Sequence, residues 1–288
     1  MAAQLLAGAP VADSVLDEVK IRTRALIEKG IKPGLGTILV GEDSASAGYV
    51  RKKHETCEAV GLASQHIEIP SDASPNALLD AVDSFNKDPE VHAYIIQHPV
   101  ADGFDFNTAL SLMSPEKDAD GLHPVNLGKL VLQETGPVPC TPAGIQAMLV
   151  YYGIETSGKH VVVIGRGPTL GRPMALLMSS KEKGANAAVT VVHSAVPNLS
   201  EITSKADIVI AAVGIPSFVT PEMVRPGSVV ISGGISWEGK RLLPDVDESV
   251  EEVASWITPR LGGVGPVSYT HLRAHETVLD LVCRLLLE

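Results

Sequence analysis

Short apolar runs alternate with segments of helical periodicity along most of this chain. Leu35–Gly41 (LGTILVG), Gln65–Ile69 and Val91–Gln97 (VHAYIIQ) have the length and content of strands. Before the first of them, Val15, Leu16, Val19, Leu26 and Ile27 recur at helical spacing, with Gly30 as the stop. A second helix is predicted over Ala45–Val60, closed by Gly61. A third is opened by Ser74-Pro75, an N-cap and N1 pair, and runs to about Asn86. Strands and helices alternating at this spacing predict parallel βαβ units.

The period weakens from His98 to Pro139, a stretch holding Pro99, Pro115, Pro124, Pro137, Pro139 and the polar run Lys117-Asp118-Ala119-Asp120-Gly121. It reads as loops with short helices near Phe106–Met113 and Asn126–Leu132, and long loops beside a compact domain are often functional. Thr141-Pro142 opens a helix to about Tyr152. A second block follows, with strands at His160–Gly165, Ala188–His193, Asp207–Val213 and Ser228–Gly233. Its helices are predicted after the glycine turn, near Leu199–Lys205, after Thr220-Pro221 and at Glu248–Ser255. The expected fold is α/β, with two α/β domains flanking a cleft, divided into residues 1–140 and 141–266. Such clefts commonly hold ligands.

The second block contains the most telling local pattern. The apolar run Val161–Ile164 leads into Gly165-Arg166-Gly167-Pro168-Thr169-Leu170-Gly171 and then an apolar helical segment, Met174–Met178. Strand, glycine turn and helix start place backbone N–H groups around a phosphate. The spacing G-x-G-x-x-x-G is one residue longer than the usual dinucleotide fingerprint, and the second domain is expected to be of the Rossmann type. NAD sites place an acid about 20 residues after the turn, on the ribose 2′-OH. Here the next strand ends in His193-Ser194-Ala195, Arg166 lies in the turn and Arg172 just beyond it. A missing acid and an added arginine favour a 2′-phosphate, hence NADP over NAD.

Composition narrows the picture. The chain has 288 residues, 45% apolar and 20% charged, with a net charge of −11. That charge argues against a general nucleic-acid binder, while leaving room for a local basic pocket. Cys57, Cys140 and Cys283 are far apart, without C-x-x-C spacing, and are expected to be reduced thiols of a cytoplasmic protein. No signal peptide is expected, and no apolar run approaches the ~20 residues of a membrane helix.

Outside the glycine turn, five positions attract chemical interest. Tyr49 and Lys53 lie four apart and share a helix face. Lys53 sits in the basic run Arg51-Lys52-Lys53-His54, whose other members read as a solvated face. A lysine in a partly buried pocket has a lowered pKa and can move protons. Gln97, at the C-terminal end of its strand, is either an ordinary polar residue or one that holds Lys53 without adding charge. Asp118 and Asp120 read as a solvated turn, or, if the loop covers the cleft, as a carboxylate gripping paired N–H groups of a heterocycle. No further acids cluster near them, so no metal is expected. No G-x-S-x-G elbow is present, which leaves a serine hydrolase without support.

Taken together, SASAGYVRKKHETCEAVGL (44–62), IIQHPV (95–100), KDADGLHPVNLGKL (117–130), PCTPAGI (139–145), VVVIGRGPTLGRP (161–173), ADIVIAAVGIP (206–216) and GGVGP (262–266) resemble, in order, the bifunctional methylenetetrahydrofolate dehydrogenase/methenyltetrahydrofolate cyclohydrolase (FolD) family. The resemblance covers nearly the whole chain to Pro266. It implies oxidation of 5,10-methylenetetrahydrofolate by NADP⁺, then hydrolysis of the methenyl product to 10-formyltetrahydrofolate, in a homodimeric cytoplasmic enzyme. Lys53 is implied as the catalytic residue of the hydrolytic half, Tyr49 as stacking on or orienting the folate, Gln97 as holding Lys53, and Asp120 as gripping the pterin. Gly165, Arg166, Gly167, Gly171, Ser194 and Ile235 are implied as cofactor contacts. Gly262, Gly263 and Pro266 are implied on the substrate side, near the nicotinamide. Residues 1–140 would then bind folate and 141–266 NADP, with 267–288 packing back on the first domain.

Three departures from the family stand out. His98-Pro99-Val100-Ala101 replaces Leu-Pro-Leu-Pro, and Ser232-Gly233 replaces an Asp-Val pair bordering the nicotinamide pocket. Such changes raise the alternatives of a dehydrogenase without the hydrolytic step, or of an inactive nucleotide-binding protein. The retained Tyr49, Lys53, Gln97 and Asp120 argue against the first. After Pro266 the wording VSYTHLRAHETVLDLVCRLLLE is foreign to the family, although Val278, Leu279, Val282, Leu285 and Leu286 suit one side of an amphipathic helix. This reads as a frame-shifted, chimeric or assembly-artefact tail. Sequencing the 3′ end of the source gene tests it: an uninterrupted native frame encoding the tail would sink the idea.

Overall fold

The computed structural model describes residues 2–41, 55–239 and 241–274. The chain divides into two compact units, one made of Met1–Asp13 and Pro139–His271, the other built on Ser14–Val138. Strand β1 (Gln4–Leu5) precedes helix α1 (Gly8–Ile27). That helix ends at the expected glycine: Gly30 has a φ of 82° and its N–H reaches the Ile27 carbonyl at 2.9 Å.

In the second unit, β2 (Gly34–Val40), β3 (Ala63–Ile69) and β4 (Ala93–Ile96) form a parallel sheet in the order β3-β2-β4. The central strand β2 is buried throughout, which is why its sequence is apolar without alternation. Helix α2 (Asn76–Lys87) lays Leu78, Ala81, Val82 and Phe85 on this sheet, a helical stripe of spacing three and four. Each fully buried large side chain there is worth about 1.5–3 kcal/mol. Phe85 meets the Tyr94 ring edge-on at 5.3 Å, and the buried Tyr94 hydroxyl donates to Asn86 Oδ1 at 2.7 Å. Two further helices follow, α3 (Phe106–Leu112), capped by Asp105, and α4 (Pro124–Leu132).

In the other unit, which already holds β1, the chain continues with α5 (Cys140–Tyr151). Then come β5 (His160–Ile164), α6 (Gly171–Ser179), β6 (Ala188–Val192), α7 (Leu199–Thr203), β7 (Ile208–Ala211) and β8 (Val229–Ser232). An antiparallel hairpin, β9 (Ile235–Glu238) with β10 (Arg241–Pro244), precedes β11 (Trp256–Ile257) and α8 (Val264–Ala274). The sheet has the order β1-β11-β8-β7-β5-β6 and every pair is parallel. Strands β7 and β8 are buried along their whole length. After β5 the chain goes first to β6 on one side and later to β7 on the other. That reversal opens a crevice at the carboxyl ends of the strands, where open α/β sheets bind ligands.

Several expectations are revised. Residues 1–13 lie with the second block, not the first, because β1 pairs with β11. Residues 267–271 also belong to that unit, whereas Leu272–Ala274 group with the unit of Ser14–Val138; Val267 is fully buried and packs against Gly8 and Gly144. The remainder of the expected amphipathic tail, 275–288, lies outside the described residues. Thr141 does not cap a helix; its hydroxyl pairs with that of Ser268 at 2.8 Å, and α5 starts two residues earlier than expected, at Cys140. The segments after Thr220-Pro221 and at Glu248–Glu252 are single 3₁₀ turns.

Candidate functional site

The glycine turn is built by packing as much as by conformation. Gly165 leaves β5 with a φ of 116°, and a Cβ on it would lie 2.2 Å from the Ala212 carbonyl at the end of β7. A Cβ on Gly171 would lie 2.5 Å from the Gly165 carbonyl. These two glycines let turn, strand and helix close on one another. Gly167 is different: it is exposed, and nothing among the described residues lies within 4 Å of its Cβ position. That open approach suits a ligand phosphate coming close to the backbone. Helix α6 begins without a side-chain cap, so a phosphate suits its first amides.

Strand register arranges the other cofactor candidates. Ile164 pairs with Val192, so Arg166 and Ser194, each two residues further on, leave adjacent strand ends. Both are exposed, and the end of β6 carries no carboxylate to meet a ribose 2′-OH. On the other side of β5 come the ends of β7, continuing into Val213-Gly214-Ile215, and of β8, continuing into Gly233-Gly234-Ile235. Four neighbouring strand ends thus form a row of about 14 Å at the usual sheet spacing. The observed cradle, the uncapped helix and the paired Arg166 and Ser194 fit a dinucleotide with a 2′-phosphate. The departure Ser232-Gly233 is accommodated within this row. The Ser232 hydroxyl donates to the Gly234 carbonyl at 3.0 Å and accepts the Asp245 N–H at 2.9 Å. A Cβ on Gly233 would lie 2.7 Å from Leu170 Cδ2.

Gly262, Gly263 and Pro266 lie between β11 and the first turns of α8, in the same unit. Gly262 accepts the Gly8 N–H at 2.7 Å, and the Gly263 carbonyl would be 2.0 Å from a Cβ on Gly8. The observed part of Gly262 and Gly263 is to seat the start of α1.

The other unit holds Gln97 and Asp120, while Tyr49 and Lys53 lie outside the described residues. Gln97 extends β4, its N–H bonding the Ile38 carbonyl at 2.8 Å and its side chain donating to the His98 carbonyl at 3.0 Å. Asp118 bridges Tyr94 in parallel, so the chain runs on through Asp120 towards the end of β4 that carries Gln97. Asp118 itself corrects the expectation of a solvated turn. It is 1% exposed and accepts the N–H groups of Asp120 (3.2 Å) and His123 (2.8 Å) and the Asn126 amide (2.9 Å). Lys117 secures the same loop by donating to the carbonyls of Phe85 (2.8 Å) and Asp88 (2.7 Å), and burial lowers its pKa. Asp118 therefore shapes the loop, and Asp120, two residues further on, is half-buried. Asp118→Ala is expected to cost about 3 kcal/mol, because several donors lose a charged acceptor. Denaturant unfolding checks this, and an unchanged midpoint would show that the network contributes nothing.

Spacing flagged Asp118 without revealing its burial and missed the parts played by Lys117 and Asp245, while Ser232 was singled out only as a departure from the family pattern. The downstream His123 and Asn126 were the available signal for Asp118; nothing local marks Asp245. Among the described residues, no group of three or more His, Cys, Asp or Glu is placed to hold a metal ion.

Residues 6–120 match the family described as tetrahydrofolate dehydrogenase/cyclohydrolase, catalytic domain, and residues 139–281 its NAD(P)-binding domain. The second match runs past Pro266 into the segment of unfamiliar wording. The bifunctional protein FolD of Syntrophotalea carbinolica is 66% identical over 272 residues, covering 94% of each chain. The structure of FolD from Campylobacter jejuni superposes with a TM-score of 0.92 at 35% identity, covering 99% of this chain and 100% of that one. That of the Trypanosoma brucei dehydrogenase-cyclohydrolase, complexed with NADP cofactor and inhibitor, does so at 0.91 and 36%, covering 99% of each. The chain belongs to the tetrahydrofolate dehydrogenase/cyclohydrolase (FolD) family.

Proposed function

We propose that this chain oxidises 5,10-methylenetetrahydrofolate with NADP⁺ and hydrolyses the methenyl product to 10-formyltetrahydrofolate. The observation that carries the reading is the row of four strand ends. It has an open glycine at the phosphate position, arginine in the turn and no acid at the end of β6. NADP⁺, when bound, accepts the hydride. The residues of the chain do the rest. Arg166 and Ser194 hold the adenosine phosphate side, while Gly165, Gly167 and Gly171 shape the turn. Ile235 borders the nicotinamide end, and Gly262, Gly263 and Pro266 belong to its substrate side. This step needs the reacting carbon positioned more than it needs a strong base.

The hydrolytic half falls to Lys53, which assists water attack and moves the proton. Gln97 holds the Lys53 amine without adding a charge, Tyr49 orients the folate and Asp120 takes the paired N–H groups of the pterin. In domain terms, the unit built on 14–138 binds folate. The unit of 139–271 with the N-terminal residues binds NADP. The enzyme acts in the cytoplasm as a homodimer, without nucleic-acid or membrane partners.

The decisive assay gives purified protein methylenetetrahydrofolate with NADP⁺ or NAD⁺ and follows NADPH and methenyl absorbance together. Transient methenyl absorbance with steady NADPH formation is expected. Methenyl that accumulates without decay would leave a dehydrogenase alone, and no reduction of either cofactor would leave a non-catalytic nucleotide binder. In the same assay Arg166→Ala is expected to raise KM for NADP⁺ about 10–100-fold, the worth of one charge-assisted contact, with KM for NAD⁺ little changed. An equal rise for both cofactors would remove Arg166 from the 2′-phosphate.

A further inference from the structure

A carboxylate with no part in the proposed chemistry is buried beneath the nicotinamide end of the strand row. Asp245 follows β10 and is 0% exposed. Its Oδ2 accepts two successive amides of the turn beyond β7, Val213 at 2.7 Å and Gly214 at 3.0 Å. Its Oδ1 makes no hydrogen bond among the described residues, although the Ile215 amide also faces the carboxylate. The Asp245 backbone reaches the neighbouring turn, beyond β8: its N–H donates to Ser232 Oγ at 2.9 Å, and that hydroxyl donates to the Gly234 carbonyl at 3.0 Å. A third tie runs directly between the turns, from Ser236 Oγ to the Gly214 carbonyl at 2.7 Å. Gly234 is pressed against the carboxylate so closely that a Cβ on it would lie 2.0 Å from Oδ2.

What these ties hold in place is surface, not core. Each turn carries an exposed isoleucine, Ile215 at 50% and Ile235 at 41%. Exposed large apolar side chains on two turns at the ligand end of a parallel sheet suit the face of a flat ring. The strand ends are joined by the Gly233 and Gly234 N–H groups on the Ala211 carbonyl (2.8 and 3.1 Å), and beyond them the hairpin of β9 and β10 carrying Ile235 is bonded as a separate sheet, so the side-chain ties beneath help set the separation of the two isoleucines. Burial raises the pKa of the Asp245 carboxyl, and the amides of 213–215 partly offset this. Buried charge of this kind is tolerated where fixed donors replace water.

We infer that Asp245 is a positioning residue for the dehydrogenase step: with Ser232 it sets the relative placement of the 213–215 and 233–235 turns, and through them the apolar pair Ile215 and Ile235 that would meet the nicotinamide. This rests on the reading of the strand row as the NADP site. It also gives Ser232 a task in this chain, as the second tie between the same turns.

The two activities supply the test, since hydrolysis of added 5,10-methenyltetrahydrofolate needs no nicotinamide. Full-length Asp245→Ala, Asp245→Asn and Ser232→Ala proteins are compared with the unmodified enzyme. Alanine removes both acceptors, and KM for NADP⁺ is expected to rise at least tenfold. Asparagine keeps one carbonyl for the same amides, so its rise should be threefold or less; Ser232→Ala should fall between. Hydrolysis in all folded variants should stay within twofold of the unmodified protein. Equal loss of both activities would mark Asp245 as merely structural and overturn the inference. So would an unchanged KM in Asp245→Ala or, should that variant fail to fold, in both of the others. If the unmodified protein reduces no NADP⁺, the functional reading falls and the inference with it.

Discussion

Replacing Lys53 with methionine is expected to slow hydrolysis of 5,10-methenyltetrahydrofolate at least about a hundredfold, while NADPH formation stays within a few-fold. Positioned proton transfer contributes about 10²–10⁴-fold to a rate, and methionine keeps the length and apolar stem of lysine while removing its amine. The other residues proposed for the folate side cannot substitute. Gln97 has no ionisable group, and Asp120 is proposed to take the pterin N–H groups. The oxidation is spared because it needs hydride positioning, which lies with the cofactor row. Following methenyl decay and NADPH appearance at separate wavelengths distinguishes the two steps. Hydrolysis at the unmodified rate would remove Lys53 from its role.

Gly165→Ala is the counterpart on the cofactor side. The new methyl would meet the Ala212 carbonyl at 2.2 Å, and the residue would have to hold a φ of 116°. Both problems fall on backbone that cannot step aside. The Gly165 N–H bonds the Val192 carbonyl at 2.8 Å, and the Ala212 N–H bonds the Ile164 carbonyl at 2.8 Å. Relief of the clash therefore separates β5 from a neighbour and displaces the turn that leads into α6. Backbone strain of this kind costs about 1–3 kcal/mol before any loss of ladder bonds, so a total above about 3 kcal/mol is expected. Reduction of NADP⁺ should fall more than a hundredfold, and hydrolysis should fall much less. Thermal unfolding and the two assays check this; an unchanged midpoint together with an unchanged KM for NADP⁺ would contradict the packing described for the turn.

The central strands were legible because a strand buried on both faces is a continuous apolar run. LGTILVG, HVVVI and the VVIS run each became a buried strand within a residue or two of the expected bounds. The periphery was not legible. Strands β1 and β11 are two residues long, too short for any period, and they exist because each lies along an edge already formed. The β9–β10 hairpin carries the half-exposed Trp237 and has no apolar alternation to announce it. The same limit applies to the site. Asp118 and Asp120 look alike in the sequence, and only the proximity of Tyr94, His123 and Asn126 buries the first, while the second is half-buried. Asp245 lies 31 residues from Gly214, with no spacing rule to connect them.

By itself, then, the sequence determined the α/β class, the succession of two blocks, the glycine turn and the leaning to NADP. Each of these follows from neighbours in the chain: period, turn chemistry, or a missing acid at the end of a strand. The tertiary structure alone decided which glycines are closed by backbone and which is open to a ligand. It also decided which of two aspartates is buried, and which unit takes the first thirteen residues. Those outcomes turn on burial and close approach, which arise only when surfaces from distant segments meet.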